Sequence, residues 1–171
     1  MKPIVRVRAA VLGALVLVLG VALKTVVARE RILDQGRIVL VALTPVDPRS
    51  LMQGDYMRLR FAIDLELAES GHEASSPPAA YAHLALDAQD RASLIGVSAA
   101  LPSAVASAVA MRIRQRDGQV TIGPNAFFFQ EGRAEAYESA RWGEFRVAPD
   151  GTALLTHLRD GELKRLGEQR R

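Results

Sequence analysis

The sequence predicts a mainly β fold. An N-terminal transmembrane helix is followed by an antiparallel β-sandwich or partly open β-barrel with at most one short helix. Three observations carry this. An apolar stretch near the N-terminus is long enough for a bilayer. Beyond it, short apolar runs recur between turn residues at a spacing of ~10 residues, the rhythm of antiparallel β domains. Several of those runs alternate apolar and polar residues, as a half-buried strand does.

The helix comes first. Ala9 to Leu23 reads AAVLGALVLVLGVAL, without a charge or a hydrogen-bonding side chain. A spanning helix needs ~20 apolar residues. Residues 9–28 supply that length if Lys24 snorkels toward the outer surface. The expected division is 1–28 for a basic cytoplasmic tail and signal-anchor, 29–159 for an outer β domain, and 160–171 for a polar tail that frays. Val26-Val27-Ala28 also fits the cleavage pattern of a secretory signal, so secretion after cleavage near Ala28 is the alternative.

The strands follow. Arg37 to Leu43 (RIVLVAL) is β-branched and aliphatic, and the prolines of Thr44-Pro-Val-Asp-Pro48 end it. In Met57 to Leu65 (MRLRFAIDL), Met57, Leu59, Phe61, Ile63 and Leu65 share one face, which predicts a strand. Residues 69–80 form a polar loop. Ala80 to Leu86 and Ala92 to Val97 flank a turn at Asp87–Asp90. Val109 to Gln115 returns through Asp117-Gly118, a hairpin signal, into Gln119 to Ile122. Arg133 to Ala140 is the one short helix expected. Trp142 to Val147 and Thr152 to Leu158 flank Pro149-Asp-Gly151, a further turn.

Charge does not identify a partner. The chain of 171 residues carries a formal charge of +3 and a pI near 9.7. Lys2, Arg6, Arg8 and Lys24 account for the excess, and residues 29–171 hold eighteen bases against nineteen acids. Nucleic acid is therefore not expected as a partner. Lys and Arg are balanced three to three around the span, so orientation rests on the short basic tail, which keeps to the cytoplasm. Nineteen Arg against three Lys is the composition of a GC-rich bacterial genome. The expected location is a bacterial inner membrane, single-pass, with the C-terminal domain in the periplasm.

The densest motif is Pro45-Val-Asp-Pro-Arg-Ser-Leu-Met-Gln-Gly-Asp-Tyr-Met-Arg-Leu-Arg-Phe61. It resembles the bacterial family named for its GDYxxLxY motif. Gly54, Asp55, Tyr56 and Leu59 match, and Phe61 stands where the pattern has Tyr. The stretches PVDPRSL, GPNAFFFQEG and EFRVAPDGTALL are similar to that family as well. The resemblance implies a membrane-anchored extracytoplasmic protein of uncharacterised activity. It also implies a multi-pass membrane partner, since members are commonly encoded near such proteins. The motif residues Asp47, Pro48, Arg49, Gly54, Asp55, Tyr56, Leu59 and Phe61 are the candidate binding residues. A turn leading into a core strand accounts for most of the same residues: Gly54 relaxes the backbone, Asp55 accepts N–H groups, Tyr56 anchors the strand entry.

The layout is also similar to type I signal peptidases. Their serine would fall at Val46, and no Lys lies between Lys24 and Lys164, so the Ser–Lys dyad is missing. Without Cys, thiolate chemistry is excluded. His72, His83 and His157 lack metal-ligand spacing, and no phosphate-binding loop occurs, so neither metal nor cofactor is expected and no catalytic residue is assigned. The alternating Arg112, Arg114 and Arg116 form a basic stripe suited to a solvated face or to phospholipid headgroups. Phe127, Phe128 and Phe129 cannot all face inward on one strand. With Trp142 they are the candidate interaction surface. The function expected is a binding or accessory protein. The alternatives are a divergent or inactive signal-peptidase-like hydrolase and a small-ligand or cell-envelope binding module.

Overall fold

The computed structural model describes residues 3–44, 52–53, 56–69, 80–102, 108–116 and 119–167. Helix α1 spans Pro3–Gln35, about 50 Å at 1.5 Å per residue. Its segment Val11–Gln35 is long and apolar enough to cross a membrane, as an anchor or as a signal sequence. Only Ile32 of that segment is even half-buried. Thr25 donates its hydroxyl to the Val21 carbonyl at 2.9 Å, which satisfies the one hydroxyl within the apolar stretch.

One residue joins this helix to the sheet. Gly36 N–H closes the last turn on the Ile32 carbonyl at 2.9 Å. Arg146 donates to the Gly36 carbonyl at 3.1 Å, placing a cation at the helix C-terminus. A Cβ at Gly36 would run into the Ile32 carbonyl oxygen and lie 3.2 Å from both Arg146 Cβ and Val147 N. Strand β1 (Arg37–Ala42) starts immediately, so only Gly36 separates the apolar helix from the β domain.

β1 pairs antiparallel with β10 (Trp142–Val147), which pairs with β11 (Ala153–Arg159). The turn between them forms as Pro149-Asp-Gly151 predicts. Gly151 has φ +83°, and the Asp150 carboxylate accepts the Thr152 N–H and hydroxyl, each at 2.9 Å. This turn lies at the Gly36 end of the sheet, because Val147 pairs with both Arg37 and Ala153. A second sheet holds β2 (Met52–Gln53), β3 (Tyr56–Arg58) and β9 (Ala126–Phe128). A third holds β5 (Ala92–Ser98), β4 (Tyr81–Leu86) and β6 (Ala108–Arg112). Strands β7 (Arg114–Arg116) and β8 (Gln119–Thr121) form the hairpin predicted around Asp117-Gly118. Every ladder between named strands is antiparallel, Leu40 and Arg91 form one isolated parallel bridge, and among the described residues no barrel closes.

Three local readings are corrected. The strand expected at Met57–Leu65 ends at Arg58; Phe61 forms an isolated bridge with Leu43, and helix α2 follows at Ala62–Glu69. Ile63 and Leu67, four apart, bury one helical face, while Leu65 stays 39 % exposed. Asp64 fixes the helix: its carboxylate accepts the Ile122 N–H at 2.9 Å and the Thr121 hydroxyl at 3.1 Å. The helix expected at Arg133–Ala140 is only a 3-10 turn, Ala134–Tyr137. Nor do residues 160–167 fray. Asp160 caps its own turn through the N–H groups of Glu162 and Lys164 at 3.0 and 2.9 Å. Arg165 then bridges back to Arg159, and Leu166 donates to the Leu158 carbonyl at 2.8 Å.

The core is one apolar cluster built around Val39, Val41, Phe61, Leu84, Phe145 and Leu158. Phe61 meets Phe145 edge-on at 5.3 Å between centroids, a favoured aromatic geometry. Gly143 and Gly123 make room for these rings: a Cβ at Gly123 would stand 2.6 Å from the Phe61 ring. β1 therefore has a polarity. Its first residue abuts the membrane-type helix, and its far end delivers Leu43 to Phe61 and the motif segment.

Candidate functional site

The motif residues separate into two roles. Leu59 and Phe61 are buried in the core, where they hold β3 against the main sheet. Leu59 N–H donates to the Asn125 carbonyl at 2.9 Å, and Thr44 donates through both N–H and hydroxyl to the Arg60 carbonyl at 2.9 and 2.8 Å. Tyr56 has the other role. It stands opposite Phe128 in the β3–β9 ladder, with the two rings 5.8 Å apart. Phe128 is 75 % exposed. Asp47, Pro48, Arg49, Gly54 and Asp55 lie outside the described residues, as do Val46 and Ser50, on which the signal-peptidase comparison turned.

The aromatic triplet divides as strand alternation requires. Phe127 and Phe129 turn to the same side and hold Tyr137 between them, at 5.4 and 5.1 Å. Phe128 points the other way, toward solvent and Tyr56. Beside Tyr137 a groove of about 280 Å³ is lined by Gln130, Arg133, Tyr137 and Gly167. Trp142 is not part of this group. It is half-buried at the end of β10, with the Arg91 guanidinium 5.9 Å from its ring, a cation–π contact. The structure thus assembles Tyr56 with Phe128, and Phe127 with Phe129, and leaves Trp142 apart.

Sequence reasoning missed the main polar cluster. Glu144 is completely buried. Its Oε2 accepts from Arg159 Nε at 2.7 Å and Arg165 Nε at 2.9 Å, and its Oε1 accepts from Arg165 Nη2 at 2.7 Å. His157, directly opposite on β11, places Nδ1 3.7 Å from Oε1. Burial raises the Glu144 pKa, but the hydrogen bonds from Arg165 and Arg159 and their charges outweigh it and hold the carboxyl below its ordinary range. The carboxylate clamps the C-terminal turn to the sheet. The signal for it was an acid inside a mainly apolar strand, WGEFRV, with a base ending the next strand, Arg159, and another in the turn beyond, Arg165; only the tertiary arrangement brings them together.

Asp64 behaves in the opposite sense. Burial raises its pKa, and the hydrogen bonds from Ile122 and Thr121 offset this only in part, so it lies above the ordinary range. Of the expected histidines, His83 shares a 2.7 Å hydrogen bond with Ser98, a strand-face role. His72 lies outside the described residues. Among the described residues, no group of three His, Asp or Glu side chains is placed to hold a metal ion.

Comparison with curated proteins finds no match, and comparison with solved structures finds none. The family model described as GDYXXLXY protein matches residues 18–158. That range runs from within α1 through nearly all of β11, so it includes the motif segment, the aromatic strand and the Glu144 strand pair. The chain belongs to the GDYXXLXY family.

Proposed function

We propose that this protein is a single-pass membrane protein of a bacterial inner membrane, with its β domain in the periplasm. There it acts as a binding or accessory subunit of a multi-pass membrane partner. One observation carries the reading: an apolar, unburied helix runs without a break into the first strand of the domain. Helix α1 passes through Ala28, the alternative cleavage position, and continues to Gln35. A soluble role would leave this apolar surface in water at a free-energy loss of ~25 cal/mol per Å².

The Tyr56–Phe128 pair is the contact surface this reading assigns to the partner. Exposed aromatic residues dominate the energetics of protein interfaces. Phe128 contributes little to the core, being 75 % exposed. Co-purification from solubilised membranes tests the proposal. A multi-pass protein should co-elute with the intact chain and be lost with Phe128→Ser. A chain that elutes alone, or whose mature mass lacks residues 1–28, overturns it.

A further inference from the structure

The end of the β domain beside the helix has a charge and a position of its own. Ile32 is the first residue of the 11–35 segment to touch the domain. It lies four residues past Ala28, about 6 Å along the helix axis. The headgroup layer beyond the hydrocarbon core is itself ~5–8 Å deep on each side. With Gly36 the only residue between helix and sheet, and its carbonyl held by Arg146, the domain has no tether on which to move away.

Among the described residues, the side chains at this end are predominantly basic. Arg29 and Arg31 lie on α1 one to two turns before its end, and Arg37 opens β1, all three exposed. Arg146 sits on the Gly36 carbonyl. Arg112 reaches the same end from another sheet: its N–H donates to the Gly151 carbonyl at 2.8 Å, and its guanidinium lies 5.8 Å from the Tyr81 ring. Among the described residues, Glu30, Asp34 and Asp150 stand against these five arginines. The Asp150 carboxylate is occupied by its own turn and lies 3.9 Å from the Arg112 guanidinium, which also donates to the Asp150 carbonyl at 3.5 Å. This excess contrasts with residues 29–171 as a whole, which hold one more acid than base.

We infer that the Gly36 end of the β domain is a second membrane contact, a basic face seated on anionic phospholipid headgroups of the bilayer that α1 crosses. The inference rests on the anchor reading above. Phosphate oxygens are the complementary chemistry, since arginine forks donate to them in pairs. Its effect is to fix the domain upright, so that the opposite end, with Tyr56 and Phe128, is presented away from the bilayer.

The test uses the full-length chain, which has no native cysteine. A spin label is placed at Pro149→Cys in the basal turn, or at Glu138→Cys near the far end of β1. Each is reconstituted in nanodiscs containing a nickel-chelating headgroup lipid, with and without phosphatidylglycerol. The basal label should be relaxed strongly and the distal label weakly. Phosphatidylglycerol should strengthen basal relaxation, and Arg37→Gln with Arg112→Gln should reduce that gain by about fivefold or more, as expected for two basic residues at an anionic surface. Arg112→Lys, which keeps the charge, should retain it, and Trp142 fluorescence checks that every variant is folded. Equal relaxation at the two positions, or basal relaxation indifferent to phosphatidylglycerol and to the arginines, overturns the inference. Release of the chain by alkaline carbonate would instead overturn the anchor reading beneath it.

Discussion

Replacing Glu144 with Gln removes one charge from a fully buried carboxylate and keeps its shape. The amide can still accept at one oxygen position. At the other it turns an NH₂ toward a guanidinium, so donor faces donor. Hydrogen bonds to charged groups contribute ~1.5–3 kcal/mol each, and stranding a buried charge costs ~3–5 kcal/mol. Here the strandedness is partial, because the Arg159 and Arg165 side chains are 20 % and 33 % exposed and can turn toward water. The expected loss is therefore ~2–4 kcal/mol, at the lower end of the buried-pair range. For a domain of this size it corresponds to a fall in Tm of about 10 °C. Thermal unfolding of the detergent-solubilised chain, followed by Trp142 fluorescence, measures it. A cycle with Arg165→Met should show non-additivity of ~1 kcal/mol or more. A loss under ~0.5 kcal/mol, or additivity within that margin, would refute the clamp.

Three further predictions follow from the packing and the titration. Phe61→Ala should lower stability by ~3–5 kcal/mol, whereas Phe128→Ser should stay within ~0.5 kcal/mol, although both lie in the matched segments; denaturant midpoints compare them. Gly36→Val places a branched side chain against the Ile32 carbonyl, Arg146 Cβ and Val147 N; limited proteolysis should show faster cleavage at the helix–sheet junction, and an unchanged rate would contradict the rigid join. Acid should act through two opposed carboxyls. The Glu144 pKa is lowered by folding, so its contribution is full above the ordinary value of 4.5 and disappears as pH falls through the lower folded value. The Asp64 pKa is raised, so stability decreases as pH rises from 3.8 toward its folded value. Unfolding measured across acidic pH should show a shallower acid loss in Glu144→Gln and a steeper one in Asp64→Asn.

The apolar N-terminal helix, the β class and the hairpin turns were legible because their signals are local. An uninterrupted apolar run, Asp87 capping its own turn and Asp-Gly at a reversal each act within a few residues. The segment after Phe61 was misread because its residues satisfy two periods at once. Phe61, Ile63 and Leu65 alternate as a strand, while Ile63 and Leu67 repeat as a helix. Burial of Leu67 and the Asp64 contacts to β8 decide for the helix, and those partners lie 57 and 58 residues away. Glu144 was missed for the same reason. Its partners, fifteen and twenty-one residues on, read as a strand end and a polar tail until β11 turns back beside β10. In the aromatic triplet, alternation alone required at least one ring outside or covered; which one is set by Tyr137, which packs against Phe127 and Phe129.

The two halves of the motif gain their sense from the direction of β1. Six residues of strand cover about 20 Å, from Gly36 beside the helix to Leu43 beside Phe61. The buried half, Leu59 and Phe61, ties the motif segment to the far end of that strand. Once so fixed, Phe128 can be exposed and Tyr56 left half-buried without loosening the fold, because neither belongs to the core cluster. An upright domain then presents this pair ~20 Å or more above the headgroups. On the proposed reading, the partner must reach it with an extramembrane loop or domain and not with its membrane helices. A multi-pass partner with only short periplasmic loops would leave the pair unmet. Cross-linking from a photoreactive residue at Phe128 distinguishes the two: capture through loop residues supports the reading, and capture through a membrane-embedded segment refutes the upright geometry.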